Sequence, residues 1–260
     1  MTKRRWIADE VFGSRAALTG AHADHLVRVL RARIGQEFDI ATATTVRRGR
    51  VTAVSEGRVE FELGEEVSSV RGPQIALFLA VFKFDRMEWA IEKCTELGVA
   101  RIVPVISRRS DARLAAAAGK RTERWRRLVV QAAEQSRREA PPEISGPVKL
   151  KEAASLASGL RIVVSESEHQ DSIRDVLDAQ IASDSREPNR YASVTLAVGP
   201  EGGWTDDELK MLRTNGWRSA SLGKTILRAE TAAIAATAVV VSELNWALNQ
   251  PGFPRRSVIS

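Results

Sequence analysis

The hydrophobic positions of the chain follow two different periods, and the change between them falls near residue 70. Between residues 36 and 67, apolar and polar residues alternate in short runs that are separated by Gly49, Gly57 and Gly64. A period of two is typical of strands that bury one face. The alternating apolar residues are Phe38, Ile40, Val51, Ala53, Val59, Phe61 and Leu63. This region is therefore predicted to form a small antiparallel sheet or barrel.

A basic helix is predicted ahead of these strands, over residues 22–31. Its apolar face would consist of Leu26, Val29 and Leu30. The basic residues on or beside the helix are Arg28, Arg31 and Arg33. The first domain is thus predicted to be β-rich, with one basic helix.

The second pattern begins after the Gly72-Pro73 pair, which marks a natural boundary. Buried strands are predicted from apolar runs at residues 75–82, 101–106, 161–165 and 193–198. Helices are predicted from helical spacing at residues 86–98, 121–138, 205–215 and 230–248. Apolar strands that alternate with helices predict an α/β fold with a mostly parallel sheet and helices on both faces. We therefore expect two domains, over residues 1–72 and 73–260.

Charge is unevenly distributed along the chain. The net charge is +6, but residues 108–138 carry ten basic against three acidic residues, and residues 1–50 carry ten against five. The rest of the chain is therefore acidic. Two basic regions in one chain favour a polyanionic partner, most plausibly nucleic acid, over an ordinary solvated surface.

Two glycine-containing segments near the C-terminus indicate a ligand site. Residues 196–204 read LAVGPEGGW and follow a predicted strand, and residues 221–232 read SLGKTILRAETA and open a helix. Glycines permit close approach of the backbone, and ligands of parallel sheets bind beyond the carboxyl ends of the strands. Thr205 and Glu208 form a predicted capping box at the helix that follows the first segment. A purely structural strand-to-helix turn remains the alternative for this loop taken alone.

The tripeptide Gly223-Lys224-Thr225 resembles the end of a phosphate-binding Walker A loop. That motif needs a further glycine at position 218, where this chain has Arg218. A nucleotide-hydrolysing P-loop is therefore excluded.

Composition excludes several other classes of protein. The longest apolar stretch, residues 232–241, is far shorter than the roughly 20 residues that span a bilayer. Asp9 and Glu10 interrupt the basic N-terminus before an apolar signal segment forms. The single cysteine, Cys94, indicates a reducing cytoplasm, and we expect it to be a small buried residue. The three histidines lack cysteine partners, so no metal site is expected.

The two segments together resemble the SPOUT superfamily of RNA methyltransferases, and most closely the RsmE family, which methylates N3 of a uridine in 16S ribosomal RNA. Three further motifs match in order: residues 84–88 (FDRME) leading into Lys93 and residues 96–99 (ELGV), then residues 134–136 (EQS) before Pro141. The resemblance covers nearly the whole chain. Phe84 departs from it, since a small or polar residue is expected there.

This resemblance implies a C-terminal trefoil knot that binds S-adenosylmethionine, and a PUA-like RNA-binding barrel at the N-terminus. It also implies a homodimer with the C-terminal helix in its interface. The implied cofactor-binding residues are Leu196, Val198, Gly199, Pro200, Glu201, Gly202, Leu222, Gly223, Ile226, Leu227, Arg228 and Ala232.

Uridine N3 carries a proton at neutral pH, and methylation requires that this proton be removed or be displaced from N3 by stabilisation of another tautomer. A guanidinium can stabilise the negative charge that develops on the base, and Arg228 is the first candidate because it lies between the cofactor-binding loop and the helix that follows. Glu230 or Glu201 could accept the proton or orient Arg228, and the sequence does not rank them. For Glu230, a stabilising contact with the helix dipole is the simpler alternative.

The expected partner is 16S ribosomal RNA, either free or in an assembled small ribosomal subunit. The candidate RNA-binding residues are Arg28, Arg31, Lys83, Arg86, Arg108, Arg109, Arg124, Arg127 and Arg138. A non-catalytic RNA-binding factor for ribosome assembly that retains the fold is the alternative function. The intact glycine loop, Arg228 and Glu230 favour the enzyme.

Overall fold

The computed structural model describes residues 5–42, 45–67, 74–136, 138, 140–183 and 193–248. The chain divides into two compact units. Unit 1 comprises residues 1–71 and 130–141, and unit 2 comprises residues 72–129 and 142–260. The Gly72-Pro73 pair lies outside the described residues.

Unit 1 contains one six-stranded sheet. Its strands are β1 (Arg5–Ile7), β2 (Glu10–Phe12), β3 (Arg15–Thr19), β4 (Glu37–Ala41), β5 (Val46–Ser55) and β6 (Arg58–Glu66), in the spatial order β1-β4-β5-β6-β3-β2. All neighbours pair antiparallel except β1 and β4. Because only residues 8 and 9 join the two edge strands, the sheet must curl until its edges approach each other. The predicted antiparallel strands are therefore present.

The core of unit 1 lies on one face of this curled sheet. Strand β6 shows the expected alternation, with Val59, Phe61 and Leu63 buried between more exposed neighbours. Gly49 is required on β5 because a β-carbon there would overlap the side chain of Ile40 on the paired strand. Close packing therefore fixes the contact between β4 and β5.

The helix predicted at residues 22–31 is shorter and less regular than expected. Helix α1 (Gly20–Asp24) continues into a π-helical turn (His25–Val29), and Arg31 adopts a left-handed backbone with φ of 51°. The wider turn changes which residues face the sheet. Leu26 is buried, but the prediction for Val29 is wrong because its side chain is 61% exposed.

Unit 2 contains the predicted parallel sheet. Its strands are β7 (Gln74–Ala80), β8 (Arg101–Ile106), β9 (Glu143–Ile144), β10 (Val148–Lys149), β11 (Leu160–Val164), β12 (Ser193–Val198) and β13 (Arg218–Ala220). The order is β10-β8-β7-β12-β11-β13, with β9 paired to β8, and every pairing is parallel. The four predicted strands are confirmed, with bounds shifted by two residues at most.

Helices cover both faces of this sheet, as predicted. One face packs against α2 (Phe84–Glu96), α3 (Ala112–Gln135), α5 (Ile173–Ser183) and α7 (Ala229–Leu248). The other face packs against α4 (Leu150–Leu156) and α6 (Asp206–Thr214). Strands between two helical layers bury both faces, which explains their continuous apolar sequences.

Helix α3 differs most from its predicted bounds. It begins at Ala112, nine residues before the predicted start, and ends at Gln135 rather than at residue 138. Trp125 and Val129 are buried as expected. Arg138 lies beyond the helix, and partial burial lowers the pKa of its guanidinium. The predicted helix, which ended at Arg138, is therefore too long at its C-terminal end, and this candidate RNA-binding residue is partly buried.

Candidate active site

Three neighbouring parallel strands end at the same edge of the sheet in unit 2. Strand β11 lies between β12 and β13, so the segments that follow all three strands come together. These segments are residues 165–172 after β11, residues 199–205 after β12 and residues 221–228 after β13. Backbone bonds join them, since Ser165 donates to the oxygen of Ala220 and Ser221 donates to that of Asp171.

The segment after β12 is a tight turn that leads into α6. The amide of Gly203 donates to the oxygen of Pro200 at 2.8 Å, and Gly203 has a left-handed φ of 67°. Thr205 and Glu208 form the predicted capping box, which is confirmed. The other carboxylate oxygen of Glu208 accepts the amide of Arg108 at 2.8 Å. The turn is thus fixed at both ends.

The segment after β11 is held by its own side chains. Glu168 Oε1 accepts the backbone amides of Gln170, His169 and Asp171, and these bonds lower the pKa of its carboxyl despite the opposing effect of partial burial. At the start of α5, Ser172 and Asp175 cap each other. Ser165, Glu166 and Ser167 precede these hydrogen-bonded residues and lie directly after the end of β11.

The three segments enclose a cavity of about 230 Å³. Most of its walls are backbone and apolar side chains, with a small number of charged groups. The lining residues are Arg109, Val164, Ser165, Glu166, Ser167, Val198, Gly199, Pro200, Glu201, Gly203, Trp204, Asp206, Leu209, Ser221, Leu222, Gly223, Thr225, Ile226, Leu227, Ala229 and Ala232. Such a mixture is typical of a small-molecule site.

Glycine is required where the wall is closest to its neighbours. A β-carbon at Gly203 would lie 3.0 Å from Glu166 Oε1, and one at Gly199 would lie 3.3 Å from the indole of Trp204. The indole itself is fixed, because its Nε1 donates to the oxygen of Val164 at 3.1 Å. Side chains at these two positions would displace the groups that form the wall.

Nine of the candidate cofactor-binding residues line the cavity. They are Val198, Gly199, Pro200, Glu201, Leu222, Gly223, Ile226, Leu227 and Ala232. The other three are not among its lining residues: Leu196 is fully buried within β12, Gly202 accepts a bond from Arg109 Nη1 at 2.7 Å, and Arg228 has an exposed side chain.

The three candidate catalytic residues occupy different environments. Glu201 lines the cavity and is exposed, and Arg228 immediately precedes α7. Glu230 lies in the first turn of α7 with only 4% of its side chain exposed, and its Oε1 is 3.7 Å from Arg86 Nη1. Of the two candidate carboxylates, Glu201 and Glu230, only Glu201 is therefore among the residues that line the cavity.

The candidate RNA-binding residues also differ in their surroundings. Lys83, Arg28, Arg31 and Arg127 are exposed. Arg108 pairs with Asp207 at 3.3 Å, and Arg124 Nε lies 2.9 Å from both oxygens of Glu88. Arg109 is the one that reaches the cavity.

Sequence reasoning missed the contribution of Ser165, Glu166 and Ser167. All three are polar and directly follow a buried strand, so the rule that ligands bind beyond strand ends identifies them. What was missing was the strand order, which places β11 beside β12. The contribution of Arg109 had no comparable signal, because the residue lies ninety-three positions from its partner Gly202.

The single cysteine is not among the residues that line this cavity. Cys94 is fully buried on α2, as expected, and burial raises the pKa of its thiol to about 12. Within the described ranges, no group of three or more potential metal-ligating side chains is present. No described helix is long and apolar enough to cross a membrane.

Comparison with known proteins finds RNA methyltransferases as relatives. A family model described as an RNA methyltransferase domain matches residues 70–241. A protein from Synechocystis named ribosomal RNA small subunit methyltransferase E is 30% identical, and the match covers 89% of this chain and 74% of that protein. A protein of the same name from Rickettsia conorii is 31% identical, with 87% and 89% covered.

A solved structure supports the match in three dimensions. The crystal structure of a ribosomal RNA small subunit methyltransferase E from Neisseria gonorrhoeae, bound to S-adenosyl methionine, has a TM-score of 0.73 and 29% identity. The match covers 93% of this chain and 98% of that one. Unit 2, with its parallel sheet and glycine-walled cavity at the strand ends, thus has the fold of an RNA methyltransferase. The chain belongs to the ribosomal RNA small subunit methyltransferase E family.

Proposed function

We propose that this protein transfers a methyl group from S-adenosylmethionine to N3 of a specific uridine in 16S ribosomal RNA. The observation that carries the proposal is the glycine-walled cavity beyond β11, β12 and β13. The family membership and the cofactor named for the Neisseria gonorrhoeae structure support it.

The residues around the cavity fit this cofactor. Leu222, Ile226 and Leu227 provide apolar contacts for an adenine ring, and the backbone at Gly199 and Gly203 is open to close approach. Polar groups that also line the cavity, Glu166 among them, can accept hydrogen bonds from ribose hydroxyls. The bound cofactor would supply the electrophilic methyl group.

The reaction then depends on alignment and on the uridine proton. Methyl transfer is a displacement, so much of its acceleration comes from holding the two reactants in line. Arg228 would stabilise the negative charge that develops on the uracil oxygens. Glu201 would accept the N3 proton, because it is the candidate carboxylate that lines the cavity.

The trefoil knot belongs to this proposal. Strand β13 lies outside β11, and α5 packs on both of these strands, whereas α7 packs on β12, α2 and α5. In the proposed knot, residues 221–228 would return across residues 165–172 to reach α7. Ordinary folds avoid connections that cross at one edge of a sheet, and such a crossing is what a knot requires.

The remaining parts of the proposal concern partners. Unit 1, with its curled sheet, would be the PUA-like RNA-binding domain, and the domain boundary would fall at residues 72–73. Two copies would associate along α7, whose partly exposed residues include Ile234, Val239 and Val241. The substrate would be 16S ribosomal RNA or the small ribosomal subunit, and the enzyme would act in the cytoplasm. Light scattering coupled to gel filtration tests the dimer.

Calorimetric titration with S-adenosylmethionine tests the central claim. We expect saturable binding with one site per chain, and weaker binding by Gly203→Ala, because a β-carbon there meets Glu166. Gly57→Ala is the matched control, since Gly57 has an almost identical φ of 66° and does not line the cavity. Absence of binding by the unaltered protein would favour the non-catalytic assembly factor.

The target nucleotide is tested in cells. Mass spectrometry of ribosomal RNA from cells that lack this protein should show loss of one 3-methyluridine from 16S RNA. Purified protein should restore it in RNA or subunits from those cells. An unchanged set of modified nucleosides would contradict the proposed reaction.

A further inference from the structure

Two glutamates are buried in the first turns of helices in unit 2, and they are satisfied to different extents. Glu208 on α6 uses both carboxylate oxygens, which accept the amides of Arg108 and Thr205 and the hydroxyl of Thr205. Among the residues that the structure describes, Glu230 on α7 has no hydrogen-bond partner at Oε2, and that atom is buried. Buried polar atoms are rarely left in this state, so an unpartnered one requires an explanation.

The only charged group paired with Glu230 among the described residues is Arg86. Its Nη1 lies 3.7 Å from Glu230 Oε1, which is an ion pair but is too long for a hydrogen bond. Arg86 lies in the first turn of α2 and is one-third exposed. A small movement of the guanidinium would allow it to donate to both carboxylate oxygens, which is the strong geometry of an arginine–carboxylate pair.

The position of Glu230 relates this pair to the cavity. Ala229 and Ala232, on either side of it in the first turn of α7, line the cavity, whereas Glu230 and Arg86 do not. Arg228 lies two residues before Glu230, and its oxygen accepts the amide of Ala232 at 2.8 Å. A displacement of Glu230 would therefore also displace the cavity wall formed by Ala229 and Ala232, and the backbone of Arg228.

We infer that Glu230 is a positioning residue that acts through Arg86, and that it does not accept the proton in the reaction. The pair holds the start of α7 against α2 and thereby sets the place of Arg228 and of the cavity wall formed by Ala229 and Ala232. This inference rests on the proposed function, because the wall in question belongs to the proposed cofactor site.

A double-mutant cycle with Arg86→Gln and Glu230→Gln tests the inference. Each single variant should bind S-adenosylmethionine about tenfold more weakly, and the double variant should bind no more weakly than the singles, as expected for coupled partners. Both single variants should unfold at lower temperature, and the double variant should recover part of that loss because no uncompensated buried charge remains. Binding and unfolding are measured without RNA, so they do not depend on activity.

Arg101 and Glu143 provide the matched control. Their side chains are also 3.7 Å apart and Arg101 is equally exposed, but Glu143 is 70% exposed and neither residue lines the cavity. Arg101→Gln and Glu143→Gln should leave cofactor affinity and turnover as in the unaltered protein. Equal losses in both cycles would contradict a special role for the Arg86–Glu230 pair.

The dependence of turnover on pH separates a positioning residue from a proton acceptor. Glu230→Gln should lower kcat at every pH by a similar factor and keep the shape of the profile. Loss of the acidic limb in Glu230→Gln, with unchanged cofactor affinity, would overturn the inference and identify Glu230 as the base. If the unaltered protein does not bind S-adenosylmethionine, the proposed function itself fails, which is a different result from additive losses in the cycle.

Discussion

The two sheets of this chain bury their strands differently. In unit 1, buried and accessible positions tend to alternate along β6, and charged side chains such as Arg58 and Glu60 occupy its accessible face. In unit 2, β12 is buried at every position after its first residue, because helices cover both faces. After its first residue, β12 has no solvent-facing side chain, so polar groups become accessible only at its ends.

This difference indicates separate surfaces for the two tasks of the proposed enzyme, which are methyl transfer and RNA binding. The cavity lies beyond the ends of β11, β12 and β13, where backbone and polar side chains become accessible. The open face of the unit 1 sheet and the basic residues near α1 instead offer an extended charged surface. We therefore expect the cofactor and the chemistry in unit 2, and RNA contacts from both units.

The largest effect is expected at Arg228. Arg228→Ala should lower kcat by about 100- to 1000-fold, because one donor to developing negative charge is lost. RNA affinity should change little, since a single exposed arginine among many is removed. Lys224→Ala, in the same segment but outside the cavity lining, is the control for general disturbance of the loop. Turnover that survives Arg228→Ala would remove this residue from the mechanism.

A pair of glycines, one in each unit, tests how strictly the two sheets are packed. Gly159→Ala should destabilise by about 3 kcal/mol or more, because φ is 66° and the β-carbon would overlap the backbone of Ser193. Gly49→Ala meets only the side chain of Ile40, which can shift, so a loss of about 1–3 kcal/mol is expected.

Urea unfolding measures the loss in the free energy of unfolding for both glycine variants. Gly119→Ala is the control, because Gly119 lies within α3 with open space around its α-carbon and alanine favours helix. The reverse order, with Gly49→Ala the more damaging variant, would show that the smaller sheet is the more strictly packed of the two.

RNA binding compares the basic surfaces of the two units. The double reversals Arg28→Glu with Arg31→Glu in unit 1, and Arg124→Glu with Arg127→Glu in unit 2, should each weaken RNA binding and its salt dependence. Loss of two phosphate contacts lowers the salt slope by about 1.4 for single-stranded RNA. Cofactor affinity should not change. An unaltered slope for either pair would show that its side chains do not contact phosphate.

The smallest effect concerns pH and unit 1. His22 Nδ1 is 3.0 Å from Asp9 and Nε2 is 2.9 Å from Glu134. Partial burial alone lowers the pKa of His22, but the charges and hydrogen bonds of Asp9 and Glu134 outweigh it and raise the pKa above 6.5. The stability that this histidine adds is therefore complete below pH 6.5 and is lost as pH rises through the raised pKa.

Unfolding measured across this pH range tests the histidine. His22→Gln should remove the pH-dependent part of the stability, whereas His169→Gln, an exposed residue after β11, should behave like the unaltered protein. Identical pH profiles for His22→Gln and the unaltered protein would show that the Asp9–His22–Glu134 cluster adds nothing.

Local patterns predicted the elements with long or periodic apolar runs, but not β1 to β3, β9, β10, β13, α4 or α5. Strands β8 and β12 have the predicted bounds, and the capping box at Thr205 was identified from two residues. The first turns of α3 were missed because residues 112–118 are mostly alanine and show little contrast between two faces. The π-helical turn was missed because apolar residues at helical spacing predict an ordinary α-helix, and π-helical turns are rare.

The candidate site was only partly predictable. The residues of the two glycine segments were recognised because each joins an apolar run to a turn, and nine of the twelve named for the cofactor line the cavity. Glu166 and Arg109 come from other parts of the chain, so no local spacing connects them to these segments. Leu196, in contrast, has its side chain in the core, since β12 is buried on both faces there.

The sequence by itself determined the two hydrophobic periods, the glycines that allow a close backbone and the order of motifs that indicates the family. These features are local, because a strand, a turn or a cap is set by residues a few positions apart. Only the tertiary structure decided which strand ends are neighbours and that Glu166 lines the cavity between them. It also decided that Glu201 lines the cavity, whereas Glu230 is buried beside Arg86. Those results depend on strand order and close packing between distant segments, which no short stretch of the chain encodes.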